Sequence, residues 1–187
     1  MNKRFDWSKE NFRTQLHLAC GNGEENYRKV FEYVHFKDGY AIACDARILA
    51  KQSLDYCGVI DKENLNGKMI HRDTFKNILK YNRVVATPDN LECYDKSGGK
   101  TTFAYGTFEG TLPDFDRVIA DFKEPSETKS MLVNPKQLDI AQKCLYCYKD
   151  YVKMTFYQRV SCNPAVIIES ADPEYSEQFV LVMLPIY

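Results

Sequence analysis

Three kinds of chemistry-bearing residue occur in this chain, and their spacing decides what each can do. The histidines His17, His35 and His71 fall on a predicted helix, a predicted strand and a strand-helix junction. None has the spacing of a metal-ligand set or of a nucleophile-base triad, so a structural or surface role fits each. Cys144 and Cys147 form a single Cys-x-x-Cys at the end of a predicted helix. A zinc site would need a second pair, and a thioredoxin-like dithiol would need a strand-helix-strand context that is missing. Gly98-Gly99-Lys100-Thr101-Thr102 is similar to the end of a phosphate-binding loop, but the first glycine is lacking and a strand follows. It reads as a hairpin turn. A small-molecule hydrolase would have to be built on Cys44 or His35, and no constellation assembles around either. The expectation is a protein that is not an enzyme, with no cofactor and no metal.

Positive charge is patterned more tellingly. Lys9, Arg13 and His17 recur at i, i+4 and i+8, Lys76, Lys80 and Arg83 span just under two turns, and Lys136 and Lys143 lie seven apart. On one helix alone this is a solvated face. Repeated on three, it suits a row of cationic helices that follows a phosphate backbone without reading sequence.

The whole-chain numbers agree with a local effect of this kind. The 187 residues are 44% apolar and 27% charged, and 25 Lys+Arg nearly cancel 26 Asp+Glu for a net charge of −1. That is ordinary globular composition and excludes a disordered or collagen-like chain. Any nucleic-acid contact must then come from charge segregated onto one surface. No apolar run is long enough to span a membrane, and Met1 to Asp6 leads into no signal-type apolar stretch. A soluble cytoplasmic protein without membrane contact is expected. Seven scattered cysteines, an odd count, fit reduced thiols better than a disulfide framework.

The elements that must position these residues repeat with a period near 60 residues. In the first segment Ser8 caps a predicted helix with Phe12, Leu16 and Ala19 on one face, followed by strands at 29–37 and 40–52. These strands meet at Asp38-Gly39, a two-residue hairpin signal because both turn positions need positive φ. The second segment reads as a strand at 68–71, a helix at 73–81 with Phe75, Ile78 and Leu79 inward, and strands at 83–87, 91–94 and 101–109. The third reads as a strand at 129–133, a helix entered through Asn134-Pro135 with Leu138, Ala141 and Leu145 inward, and strands at 152–158, 165–169 and 178–186. The polar, proline-bearing stretch 121–128 reads as a linker. The predicted class is α+β: repeated βαβββ units with antiparallel sheets and helices on one face. Residues 1–120 hold two units, and 129–187 hold a third half-unit.

Four stretches resemble the bacterial DNA polymerase III beta subunit, the DNA sliding clamp family. Asp38-Gly39-Tyr40-Ala41-Ile42-Ala43-Cys44-Asp45-Ala46-Arg47-Ile48-Leu49-Ala50 is similar to the clamp strand that ends in a TDG(H/R)RLA-type motif, with Cys44 and Ala46 in place of Thr and Gly. Phe108-Glu109-Gly110-Thr111-Leu112-Pro113-Asp114-Phe115-Asp116-Arg117-Val118-Ile119 resembles the (D/E)GxFPDYxRVL stretch that closes a clamp domain. Asn134-Pro135-Lys136-Gln137-Leu138 resembles the start of the last clamp helix, and Val180-Leu181-Val182-Met183-Leu184-Pro185-Ile186-Tyr187 resembles the VMPM(R/K) terminus. A clamp subunit of that family has three domains of two halves each, whereas this chain has material for three halves. Tyr187 stands where the terminal basic residue is usual.

The resemblance implies a DNA clamp fold and a processivity or tethering function. It implies duplex DNA held by Lys9, Arg13, Lys76, Lys80, Arg83, Lys136 and Lys143. It also implies a hydrophobic groove that takes short linear peptides of DNA polymerase, clamp loader or repair proteins. The walls of that groove would be Asp45, Ala46, Ile48, Leu49, Pro113, Val118, Leu184, Pro185 and Ile186. Taken singly, Leu49 and Val118 equally fit residues that finish a sheet. A homo-oligomer is expected. The alternative expectation is a clamp-fold interaction module that binds peptides without encircling DNA. Gln15-Leu16-His17-Leu18 is superficially similar to a clamp-binding peptide, but its place in a predicted helix with Leu16 inward argues against that use.

Overall fold

The computed structural model describes residues 8–22, 29–107, 114–120, 125, 132–146, 152–157, 164–175 and 177–183. Two antiparallel meanders start from tight turns that the sequence encodes locally. Strands β1 (Tyr33–Lys37) and β2 (Tyr40–Cys44) join at Asp38-Gly39, with φ of 51° and 81°. Both turn residues occupy the left-handed region, as a hairpin of matching twist requires. Strand β3 (Ile48–Ser53) follows across a turn in which the Asp45 carboxylate accepts from the Arg47 and Ile48 amides at 2.8 and 2.7 Å.

The second unit has the full βαβββ order. Strand β4 (Met69–His71) leads into helix α1 (Arg72–Ile78), then β5 (Arg83–Ala86), β6 (Asn90–Tyr94) and β7 (Lys100–Ala104). The Asp95 side chain closes the last turn by accepting from the Ser97 and Gly99 amides. The hairpin reading of Gly98-Gly99 therefore holds.

Downstream, Asp114 bonds the Arg117 amide at 3.0 Å ahead of helix α2 (Phe115–Ala120). Helix α3 (Pro135–Cys144) opens as expected, with the Asn134 side chain accepting from the Lys136 amide and Pro135 at its first position. Strands β8 (Val152–Tyr157), β9 (Ala165–Ser170) and β10 (Phe179–Met183) complete the described chain.

Seven strands form one sheet in the order β4-β1-β2-β3-β10-β9-β8, and β5-β6-β7 form a second. The pairing of β3 with β10 welds the first and third units into a continuous antiparallel sheet. The main core lies on one face of this sheet. Phe36, Ala43, Ala50, Val180 and Ile168 meet Phe75 and Ile78 of α1, Ala141 and Cys144 of α3, and Val84 and Leu91 of the smaller sheet. A smaller cluster on the opposite face gathers Val30, Ile42, Leu49, Phe115, Ala165 and Leu181. The protein is thus mixed α+β with antiparallel sheets. Helices α1 and α3 contribute to the main core, whereas α2 packs through Phe115 on the opposite face, so the helices do not all share one side.

Three expectations need correction. No α-helix covers 8–19; the only helical turn there is a 3-10 turn at Leu16–Leu18. Phe12, Leu16 and Ala19 are buried as expected, but so are Asn11, Thr14 and His17, and only Ser8, Glu10 and Gln15 of the segment are exposed. Its backbone bonds outward instead: the Glu10 amide to Asn82 O, the Val84 amide to Glu10 O, the Gly58 amide to Asn11 O and the Gln15 amide to Lys143 O. A side chain on Gly58 would meet Lys9 O at 2.5 Å, so only glycine permits this close threading. The second correction concerns Leu138, which is 36% exposed, while Ala141, Cys144 and Leu145 fill the inward positions of α3. Third, residues 29–32 form a 3-10 turn rather than the start of a strand. The strand expected at 129–133 lies largely outside the described residues, and Leu132 and Val133 are not in a strand.

Candidate nucleic-acid interface and apolar face

The candidate cations sort by the elements that carry them. Helix α1 and helix α3 both pack against the Leu16–Leu18 turn, so the helical segments of the three units lie side by side. On α1, Phe75 and Ile78 turn inward while Lys76 is exposed, and Lys80 is exposed in the turn that follows the helix. Lys80 donates to the Asn77 side chain at 2.9 Å. On α3, Lys136 is exposed in the first turn, and Lys143 is half-buried and paired with Asp139 at 2.5 Å. Between the two helices His17 is buried, and burial, with Lys76 and Arg72 close by, pushes its pKa down to about 4. It is therefore a neutral spacer in a positive layer at physiological pH.

The remaining cations are placed differently. Arg13 donates to Tyr56 O at 2.9 Å and holds a partly buried internal position. Lys9 is half-buried in the threaded segment. Arg83 sits on β5, pairs with Glu10 at 3.1 Å and stacks over the Tyr94 ring, outside the helical layer. The sequence reading missed Arg72. It begins α1 and is spaced four residues from Lys76 and eight from Lys80, a pattern that pointed to the same face. Its guanidinium donates to Gly21 O at 2.7 Å.

The expected groove residues separate by strand parity. Ile48 faces the main core at 2% exposure, and Leu49 faces the opposite cluster at 3%. Val118 packs against that same second cluster, so the structure brings Leu49 and Val118 together. Half-buried Tyr40, Ile119, Ile167 and Phe179 extend the patch. Helix α2 is fastened over it by Asp116, which accepts from Lys37 and Lys51 at 3.3 and 3.5 Å. Burial pushes the Asp116 carboxyl up, but the two lysines outweigh it and hold the group below the usual carboxylate range. The i, i+3, i+4 spacing of Phe115, Val118 and Ile119 was the signal for this helix. Asp45 and exposed Ala46 instead line a cleft of about 440 Å³ with Arg47 and Arg72. Pro113, Leu184, Pro185 and Ile186 lie outside the described residues.

Ala46 adopts φ of 71°, the left-handed region that favours glycine. It occupies the position where the resembled motif carries glycine.

Among the described residues no cluster of three or more metal-ligating side chains occurs, and no helix is long and apolar enough to cross a membrane. Burial pushes the Cys44, Cys93 and Cys144 thiols up to about 12, so they are protonated at neutral pH. Cys147 lies outside the described residues. Comparison with protein-family profiles, curated proteins and solved structures returns no match to this chain.

Proposed function

We propose that the chain is a DNA sliding clamp-like tethering factor of the clamp fold, which holds duplex DNA non-specifically and recruits a replication or repair protein through an apolar face. The observation that supports it is the side-by-side packing of α1, the Leu16–Leu18 turn and α3, with Lys76 exposed on α1, Lys80 in the turn after it and Lys136 on α3. Contacts of this kind attract phosphate without favouring a register, which is what sliding requires. Arg72 adds charge to the same layer, while Arg13, Arg83 and Lys143 serve internal contacts. The left-handed Ala46 supports the motif reading on which the clamp resemblance rests. Half-buried Tyr40, Val118, Ile119, Ile167 and Phe179, packed over the buried Leu49, are the surface for a peptide of DNA polymerase, clamp loader or repair protein, where a few apolar anchors dominate the energy.

A second reading, a peptide-binding module without DNA affinity, is favoured by the internal pairing of Arg13, Arg83 and Lys143. Fluorescence anisotropy with a random-sequence duplex across a salt series separates the two. The tether predicts binding that weakens steeply with salt, by a log-log slope of about −0.9 per engaged cation, and a shallower slope in a Lys76→Glu, Lys80→Glu, Lys136→Glu variant. Absence of duplex binding at low salt sinks the tether and leaves the peptide module.

A further inference from the structure

His35 on β1 is 4% exposed and lies on the sheet face that carries the second apolar cluster, directly opposite Ile42 of β2. Its Nε2 lies 2.8 Å from Val30 O. A carbonyl can only accept, so Nε2 carries the proton and Nδ1 is the bare nitrogen of the neutral ring. Nδ1 is buried and has no hydrogen-bond partner among the described residues. Protonating it would place a donor and a positive charge in an apolar site with nothing to accept from it. The Phe115 ring of α2 lies against the imidazole, with centroids 5.7 Å apart. Burial accordingly pushes the His35 pKa down from its ordinary 6.5.

The charged and titratable groups around the ring are engaged elsewhere. Tyr33 and Lys37 share its strand face, Tyr40, Lys51 and His71 come from β2, β3 and β4, and Lys29 and Glu32 from the turn that bears Val30. Helix α2 adds Asp116 and Arg117. Glu32 pairs with His71 at 3.4 Å, and Asp116 with Lys37 and Lys51 at 3.3 and 3.5 Å, so neither carboxylate bonds His35. Helix α2 itself is lightly fastened. Phe115 is buried, Val118 and Ile119 are half-buried, and Asp116 is 57% exposed in both of its ion pairs. Exposed pairs of this kind hold weakly in water.

We propose that α2 is a proton-released latch: when His35 takes up a proton at Nδ1, Phe115–Ala120 unseats from the second apolar cluster while both sheets stay paired. Unseating lets water reach the ring and supply the acceptor that Nδ1–H lacks in the seated state. Above pH 6.5 the ring is neutral whether α2 is seated or not. Below it the unseated state binds the proton more readily, so the balance moves toward that state by up to about tenfold per pH unit until the seated ring titrates too. Protonation of Asp116, which frees Lys37 and Lys51, acts in the same direction at lower pH. Val118 and Ile119 leave the apolar face with α2. That acid thereby releases a bound peptide rests on the reading given above; the unseating does not, and it is measured without peptide.

Proton NMR of the full chain, titrated downward from neutral pH, tests the latch. The expected result is loss of the nuclear Overhauser contact between the His35 and Phe115 rings with the same midpoint as the His35 ring shift, while the Leu91 and Cys93 amides of the smaller sheet stay in place. In His35→Leu the contacts of Phe115 with the second cluster should persist through the same range. A contact that survives protonation of His35, or Phe115 leaving the cluster at the same pH in His35→Leu, overturns the proposal. Should His35→Leu fail to fold, Asp116→Asn decides. Weakening the latch raises the His35 midpoint toward 6.5, whereas loss of a negative charge acting directly on the ring could only lower it. A midpoint that falls or stays overturns the latch. Unseating in acid together with no peptide binding at neutral pH supports the latch and removes only the peptide reading.

Discussion

Leu181 on β10 lies directly opposite Leu49 on β3, both nearly fully buried in the cluster that α2 covers. This pair belongs to the seam that makes one sheet of the first and third units. Leu181→Ala removes a buried isobutyl group from a site whose backbone is held by strand pairing on both sides, so the cavity cannot close fully. A loss of about 2–5 kcal/mol is expected in urea unfolding. Combined with Leu49→Ala, the losses should be less than additive, because each change already removes their shared contact. Strict additivity would show that the two side chains do not interact.

Asn11 is wholly buried and donates to Ile78 O and Tyr81 O, both at 2.8 Å, tying the threaded N-terminal segment to the end of α1. Carbonyls at a helix end need donors from outside the helix. Asn11→Ala strands both acceptors away from water and should cost about 2–3 kcal/mol. Asn77→Ala, on the exposed side of α1, should cost under about 0.5 kcal/mol. Equal effects in a denaturant titration would contradict the capping role.

Local signals that act within a few residues were legible in the sequence. Asp38-Gly39 set its hairpin, Asn134-Pro135 set the entry to α3, and the spacing of Phe75 and Ile78 set the inner face of α1. The segment 8–19 misled because periodicity reports which residues are buried and not what satisfies their backbone. Lys9, Arg13 and His17 read as one solvent-facing cationic face, but backbone hydrogen bonds with Asn82, Gly58 and Lys143 hold the segment inside the fold, with His17, Asn11 and Thr14 buried and Lys9 and Arg13 half-buried. The cationic set thinned for a related reason. Arg13 and Arg83 have helix-like spacing relative to their neighbours, yet one bonds Tyr56 O and the other sits on a strand against Tyr94, contacts that only tertiary structure creates. Leu49 and Ile48 were grouped as one wall, although adjacent strand residues must face opposite sides.

Ala46 holds a positive φ of 71° at an exposed turn position. Its methyl group crowds the backbone there without gaining burial in return. Ala46→Gly relieves a strain of about 1–2 kcal/mol and adds back some unfolded-chain entropy, for a net gain of roughly 1 kcal/mol. Thermal unfolding should therefore shift upward, while the Asp45 hydrogen bonds to Arg47 and Ile48 persist. A lower melting temperature would mean that the methyl packs against something that stabilises the turn.

His17 gives the fold a defined acid sensitivity. Burial first, then Lys76 and Arg72, hold its pKa at about 4 against an ordinary 6.5. Above pH 6.5 the ring is neutral in both folded and unfolded chains, so its contribution to stability is fully present. As pH falls from 6.5 toward 4 the unfolded chain takes up the proton first and is favoured, and below 4 the folded ring is protonated too and the loss levels off. At about 1.4 kcal/mol per pH unit, the loss attributable to this residue is at most about 3 kcal/mol. Burial also lowers the pKa of His35, which acts in the same direction. Urea unfolding of the wild type and His17→Leu at half-unit pH steps should show a shallower fall for the variant, by close to one proton, confined to that window. Lys76→Gln should raise the folded pKa of His17 and flatten the same limb in part, because a cation facing the ring has been withdrawn. Parallel curves for all three proteins would mean that His17 is protonated in the folded state at the same pH as in the unfolded one.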